Sequence, residues 1–182
     1  MSRLAAYVVI PVFTILFASG SNWFTSNFSV IGSQIGRQEE FILWGLAVGI
    51  YFFWCLLRIS SSFTAQSGLK IRGIWLTPLA LLLLSFAVTT PYLPQQFPFH
   101  SFLHVIFAFC AAVCLVLSLL FMVWSLYRQN AKRYRPFLFG LAGIVSVSLV
   151  LLWLCGIVSS ALEIFFTISS AVLVQRLYEK TC

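Results

Sequence analysis

Six apolar runs, each near the length that crosses a lipid bilayer, follow one another with only short polar connections between them. A spanning helix needs about 20 mostly apolar residues, and the runs cover 4–19, 41–57, 74–90, 101–127, 136–158 and 161–177. An ordinary soluble domain is excluded, because 61% of the residues are hydrophobic and only 8% are charged, where soluble chains carry about 25% charged residues to wet their surface. The expected fold is all-α: one transmembrane domain over residues 1–182, an integral membrane bundle of six transmembrane helices. The fourth run is long enough to tilt or to project from the bilayer.

Orientation follows from lysine and arginine. If the runs alternate in direction, Arg3, Arg58, Lys70, Arg72, Arg128, Lys132, Arg133, Arg135, Arg176 and Lys180 fall on one side. Of the eleven cations only Arg37 falls on the other. Such a bias marks the cytoplasmic face, so both termini are expected there, and an even number of spans is required. The net charge of +7 therefore reads as a topology signal and a contact with membrane lipids, not as a basic face for nucleic acid. The first run follows Arg3 but lacks a small-x-small cleavage pattern at Gly20-Ser21-Asn22-Trp23, and is read as a retained helix.

The connections expected inside, 58–73 and 128–135, are basic and polar. Those expected outside, 20–40 and 91–100, are rich in aromatic, Asn, Gln and Pro residues and are expected to pack onto the bundle. Gly45 and Gly49 on the second run, and Gly140 and Gly143 on the fifth, let helix backbones approach closely within one bundle. Pro11 and Pro78 interrupt helical runs and predict kinks. Trp23, Trp44, Tyr92, Trp124, Tyr127 and Tyr178 lie where an interfacial aromatic belt would stand.

The chemistry that residues can offer gathers on the outer side. His100 and His104 are four apart, the spacing that puts two imidazoles on one helix face for a metal ion, with Glu163 as a further ligand. Glu163 is the carboxylate within an apolar run, which is costly unless it is paired or faces water. Ser160 and Glu163 also have the spacing of a capping box, the local alternative to a functional role. Arg37 stands against the charge bias and needs a partner, which Glu39, Glu40, Glu163 or an anionic headgroup would supply. The chain has no aspartate, no Gly-x-Ser-x-Gly and no phosphate-binding glycine loop, so nucleophilic and nucleotide chemistry find no support. No cofactor is indicated. Of the five cysteines, Cys55, Cys110, Cys114 and Cys155 lie in apolar runs and read as free thiols acting as small hydrophobes. The Cys110 and Cys114 pair has no matching second pair for zinc.

The stretches Asn27-Phe28-Ser29-Val30-Ile31-Gly32, Arg37, Phe41-Ile42-Leu43-Trp44-Gly45, Pro91-Tyr92-Leu93-Pro94 and Ser101-Phe102-Leu103-His104 resemble a bacterial six-helix membrane family catalogued as a domain of unknown function. That family is similar in layout to the eukaryotic Frag, DRAM and Sfk-like proteins. The resemblance spans nearly the whole chain. It implies six helices, a place in the bacterial plasma membrane and a role connected with membrane lipids or lipid-anchored proteins, and it supplies no catalytic residues.

The leading expectation is a non-enzymatic membrane protein that binds a lipid or small amphiphile from the outer side, through a pocket built from Asn27, Arg37, Glu40, His104 and Glu163. The alternatives are a metal-dependent lipid hydrolase using His100, His104 and Glu163, and a small-solute carrier subunit.

Overall fold

The computed structural model describes residues 2–34, 36–67, 71 and 73–182; Lys70 and Arg72, both expected on the basic face, lie outside the described residues. The chain is all-helical, with no strand among the described residues. Seven helical stretches follow in order: α1 Ser2–Ala18, α2 Phe28–Gln34, α3 Gln38–Ser67, α4 Leu76–Thr89, α5 Pro98–Gln129, α6 Ala131–Cys155 and α7 Ser160–Thr181. Among the described residues, α5, α6, α7 and the Gln38–Ala65 part of α3 are long and apolar enough to cross a membrane, while α1 and α4 are shorter apolar helices. At about 1.5 Å per residue, the 32 residues of α5 exceed the hydrocarbon thickness of roughly 30 Å.

Several boundaries depart from expectation for local reasons. The basic connection expected at 128–135 is not a loop. Asn130 ends α5 and caps α6, its Oδ1 accepting from the Arg133 N–H at 3.0 Å, so the two helices meet at a single residue and the cations ride on their ends. Pro136 consequently sits inside α6. Much of the connection expected at 58–73 is likewise the continuation of α3. Pro11 is accommodated as a local irregularity: Ala5–Val9 form a π-helical turn immediately before Ile10 opens regular helix, which absorbs the missing N–H. Pro78 falls in the first turn of α4, where no intrahelical N–H bond is lost.

Five helices close into a ring. α3 packs on α4, α4 on α5, α5 on α6, α6 on α7, and α7 back on α3, while α1 packs against α3 and α7 from outside the ring. Gly45 and Gly49 allow the close approach of α3 to α4: a methyl on Gly45 would sit 2.9 Å from Val88 Cγ1, and one on Gly49 would overlap Leu81. Gly140 faces Leu173 of α7, whereas Gly143 has open space beside it.

The connection 20–40 packs onto the bundle and contains α2. Phe28 and Ile31 of α2 are fully buried. Phe28 stands edge-on to Phe17 at 5.1 Å and to Trp44 at 4.8 Å, while Phe17 and Trp44 both stack on Phe41. Such aromatic pairs add about 0.5–1.5 kcal/mol each beyond their burial, and this cluster joins α1, α2 and α3. Trp44 belongs to it, buried with its indole N–H donating to Thr14 Oγ1 at 3.0 Å, and so is not part of an aromatic belt.

The two ends of the bundle differ in charge. At the end holding the termini, Arg3 pairs with Glu179 at 2.7 Å, Arg133 donates to the Lys180 carbonyl, and Cys182 Sγ meets Ser62 Oγ at 3.0 Å. Tyr51 and Gln175 carry this polar layer inward, the tyrosine hydroxyl donating to the Ala171 carbonyl at 3.1 Å and Gln175 Nε2 to Glu179 at 2.9 Å. At the opposite end Glu163 and His104 bond to Phe28 and Ser29 of α2, and Arg37 bonds to Phe17 at the end of α1.

Candidate ligand cavity at the His104 end

Inside the helix ring lies a cavity of about 730 Å³ to which all five ring helices contribute. Its walls are almost wholly apolar, with Val48, Phe52, Leu81, Leu84, Ala111 and Phe166 representative of them. The exceptions concentrate at one end, where Asn27, Ser29, Tyr92, His104 and Glu163 reach it. Elsewhere on the wall Thr77, Ser148 and Thr167 are polar; the Thr77 hydroxyl is engaged, 2.6 Å from that of Ser118, while Ser148 Oγ has no hydrogen-bond partner among the described residues. A long apolar space with a few polar groups at one end is the form of a site that takes an amphiphile, and the volume falls in the range of roughly 300–1,000 Å³ usual for ligand pockets.

Glu163 reaches the cavity because of where α7 begins. Ser159 caps that helix, its Oγ accepting from Leu162 N–H at 3.4 Å, while Ser160 turns its hydroxyl to the Ser26 carbonyl at 3.1 Å. The Ser160–Glu163 capping box is therefore not formed. Glu163 Oε2 instead accepts the backbone N–H of Phe28 at 2.7 Å, one of the first N–H groups of α2, which have no acceptor within their own helix. The Ala161 N–H donates to the Trp23 carbonyl at 2.8 Å and the Ser160 N–H to that of Ser26 at 2.7 Å, fixing the 20–40 connection against the start of α7. Among the described residues no cation pairs with Glu163, and no hydrogen bond engages its Oε1.

Asn27 is the N-cap of α2: its Oδ1 accepts from Val30 N–H at 2.8 Å, the ordinary use of asparagine at that position. Its side chain lines the cavity, and its amide nitrogen has no hydrogen bond among the described residues. His104 is buried, only 1% exposed, and both ring nitrogens are taken. Nδ1–H donates to the Thr90 carbonyl at 2.8 Å, and Nε2 lies 2.6 Å from the Ser29 hydroxyl. Since a carbonyl only accepts, the proton on Nδ1 is assigned, and in the neutral ring Nε2 accepts from Ser29.

Arg37 and Glu40 do not join this group. Arg37 donates to the Phe17 carbonyl at 2.8 Å and to those of Ser19 and Leu16 at 3.4 Å, which are carbonyls at the end of α1. Its Nε donates to Glu40 at 2.8 Å, NH2 also meets that carboxylate, and the guanidinium lies 5.3 Å from the Phe17 ring centroid. The cation that stands against the charge bias is thus a C-terminal cap for α1, paired with Glu40, and neither residue lines the cavity. Their place in the pocket is corrected: they close the helix end beside it.

The metal reading is also corrected. His104 has no free nitrogen, and His100 is exposed at the start of α5, its ring edge-on to Phe97 and Phe99. Glu163 holds the Phe28 N–H with one of its two oxygens, Oε2. Among the described residues no three metal-binding side chains come together, so the hydrolase built on His100, His104 and Glu163 has no assembled centre. All five cysteines are free thiols.

Ser29, Trp44, Tyr92 and Thr167 line the cavity without having been expected there; Trp44 and Tyr92 had been assigned to an interfacial aromatic belt. Ser29 carried one usable signal, its position two residues after a helix-capping Asn. Thr167 carried none, because it lies in an apolar run with no local pattern around it.

The cavity opens sideways. Val105 and Phe109 on α5 and Leu149 and Leu152 on α6 line it yet are 52%, 67%, 59% and 38% exposed. The buried side chains of α6, Tyr134, Leu141 and Ile144, all lie between the Asn130 turn and the middle turn of the helix, so beyond Ile144 α6 leaves an apolar opening beside α5. Compared with known proteins, the chain matches no family model, no curated protein and no solved structure.

Proposed function

We propose that this chain is a multi-pass cell-membrane protein that holds a lipid or small amphiphile in the cavity of its helix ring, as a sensor, accessory subunit or transporter component. One observation carries the reading: the apolar cavity ends in a cluster of hydrogen-bonding groups, Asn27, Ser29, His104 and Glu163, and its opening beside Val105, Phe109 and Leu149 is rimmed by exposed apolar side chains. An acyl chain would lie along the wall and its headgroup at the polar end, reached from the bilayer without passing through water.

The proposal includes six spans with both termini in the cytoplasm. The shorter α1 and α4 are held alongside longer neighbours, α1 against α3 and α7 and α4 between α3 and α5, and the cations of the described helices gather at the termini end, as the cytoplasmic side of a membrane protein requires. The resemblance to the bacterial six-helix family and to Frag, DRAM and Sfk-like proteins belongs to the same reading, since it also points to lipids.

The test uses Trp44, which lines the cavity, as an optical probe in nanodiscs. Bromine beside the headgroup of a single-chain alcohol, 3-bromododecanol, quenches an indole it touches, and the headgroup end is where Trp44 stands. Saturable quenching is expected in the wild type. It is expected to disappear in Trp44→Phe and to weaken on the order of tenfold in Ala80→Phe, which fills the wall. Quenching that rises without saturation and is the same in all three proteins would refute occupancy of the cavity.

A further inference from the structure

The chain has four carboxylates, and their partners separate them. Glu179 is paired with Arg3 and Glu40 with Arg37, while Glu39 is exposed at the start of α3. Glu163 is the one that reaches the cavity, and among the described residues it has no cation. The charged form of a carboxyl group at membrane depth is costly unless a counter-charge is brought to it, and such groups mark ligand or ion paths. Among the described residues no lysine or arginine lines the cavity, and the nearby Arg37 is consumed by Glu40 and the end of α1. An anionic headgroup there would meet a carboxyl group with nothing to neutralise either.

The surroundings of Glu163 favour a cation in two further ways. Oε2 is held by Phe28 N–H, which fixes the carboxyl and leaves Oε1 for a ligand. Phe41, Trp44 and Tyr92 line the same end of the cavity, with the Phe41 and Tyr92 rings 6.4 and 5.7 Å from that of His104. Aromatic faces attract ammonium groups, by about 2 kcal/mol or more where water is excluded.

Resting on the reading of the cavity as an amphiphile site, we infer that its ligand is a membrane-borne, single-chain amine whose ammonium group pairs with Glu163 Oε1 among Phe41, Trp44 and Tyr92. The apolar tail lies between α3, α4 and α5 and leaves through the opening between α5 and α6. Neutral amphiphiles fit the tail region and lack the ion pair; fatty acids and alkyl phosphates are disfavoured by Glu163.

The experiment compares dodecylamine, dodecanol and dodecanoate by their displacement of 3-bromododecanol, read as recovery of tryptophan emission of the full chain in nanodiscs of zwitterionic lipid, with concentrations expressed per lipid. The amine is expected to bind on the order of tenfold or more tighter than the alcohol, and the acid weakest. In Glu163→Gln, which keeps an acceptor for Phe28 N–H, the ratio of amine to alcohol affinity is expected to fall to about one. Equal saturable binding of all three amphiphiles by the wild type would overturn the amine assignment and leave the cavity reading intact. Absence of saturable binding for all three would overturn both. An amine advantage that persists in a folded Glu163→Gln protein would overturn the role of Glu163. Should that variant fail to fold, the wild-type ranking alone still decides the headgroup class.

Discussion

Glu163 and Phe28 are 135 positions apart in the chain, yet the carboxyl of one accepts the backbone N–H of the other at 2.7 Å. Through that bond the start of α7 closes the start of α2, and the polar end of the cavity depends on it.

Replacing Glu163 separates its two roles. Glu163→Ala leaves a buried N–H of α2 without an acceptor and is expected to destabilise the protein by about 1–3 kcal/mol. Glu163→Gln keeps the acceptor and is expected to lose much less. Unfolding midpoints of the two variants in one detergent provide the comparison, and equal losses would contradict the capping role.

Arg37 is expected to matter for stability and not for ligand. Arg37→Ala frees the carbonyls of Phe17 and Leu16 and the Glu40 carboxylate, at a cost of about 1–3 kcal/mol. Arg37→Lys is expected to recover little of it, since an ammonium cannot reach several carbonyls and a carboxylate with one planar fork. Amphiphile affinity measured by quenching should stay within about twofold of wild type in both variants, because the guanidinium lies outside the cavity lining.

The glycines of α3 and α6 make a contrasting pair. Gly45→Leu drives a side chain into Val88 and is expected to destabilise by about 1–3 kcal/mol. Gly143→Ala meets nothing within 4 Å and is expected to leave stability unchanged or raise it by up to about 1 kcal/mol. Thermal unfolding of both variants checks the assignment of the α3–α4 contact.

Topology has a direct assay in Cys182, which is exposed at the termini end. In intact cells a membrane-impermeant maleimide is expected to miss Cys182 and to label Phe97→Cys, introduced at an exposed position of the opposite end. After lysis both label. Labelling of Cys182 in intact cells would overturn the proposed orientation.

The legible part of the site was its membership by end, not its contacts. Alternation of apolar runs was enough to expect Asn27, Arg37, Glu40, His104 and Glu163 at one end; the hydrogen bonds join Asn27, His104 and Glu163 to α2 and leave Arg37 with Glu40 at the end of α1. Their partners were another matter. Asn27 as a helix cap was readable in principle from an Asn preceding a short apolar stretch, whereas Arg37 reaching back to Phe17 and His104 bonded to Ser29 and Thr90 join segments with no local relation. The i,i+4 spacing of His100 and His104 misled for the same reason: both lie on α5, but only His104 is covered by neighbouring elements, and that cover takes up its nitrogens.

What the sequence by itself determined is the solvent and the secondary structure: apolar runs of this length and charge content form helices suited to lipid, because hydropathy adds up residue by residue along each segment and needs no partner to be read. Only the tertiary structure decided that five of those helices close into a ring, that α6 parts from α5, and that Glu163 reaches the cavity while Arg37 is spent on a helix end. Those outcomes depend on side-chain packing and hydrogen bonds between residues far apart in the chain, whose energies no local pattern encodes.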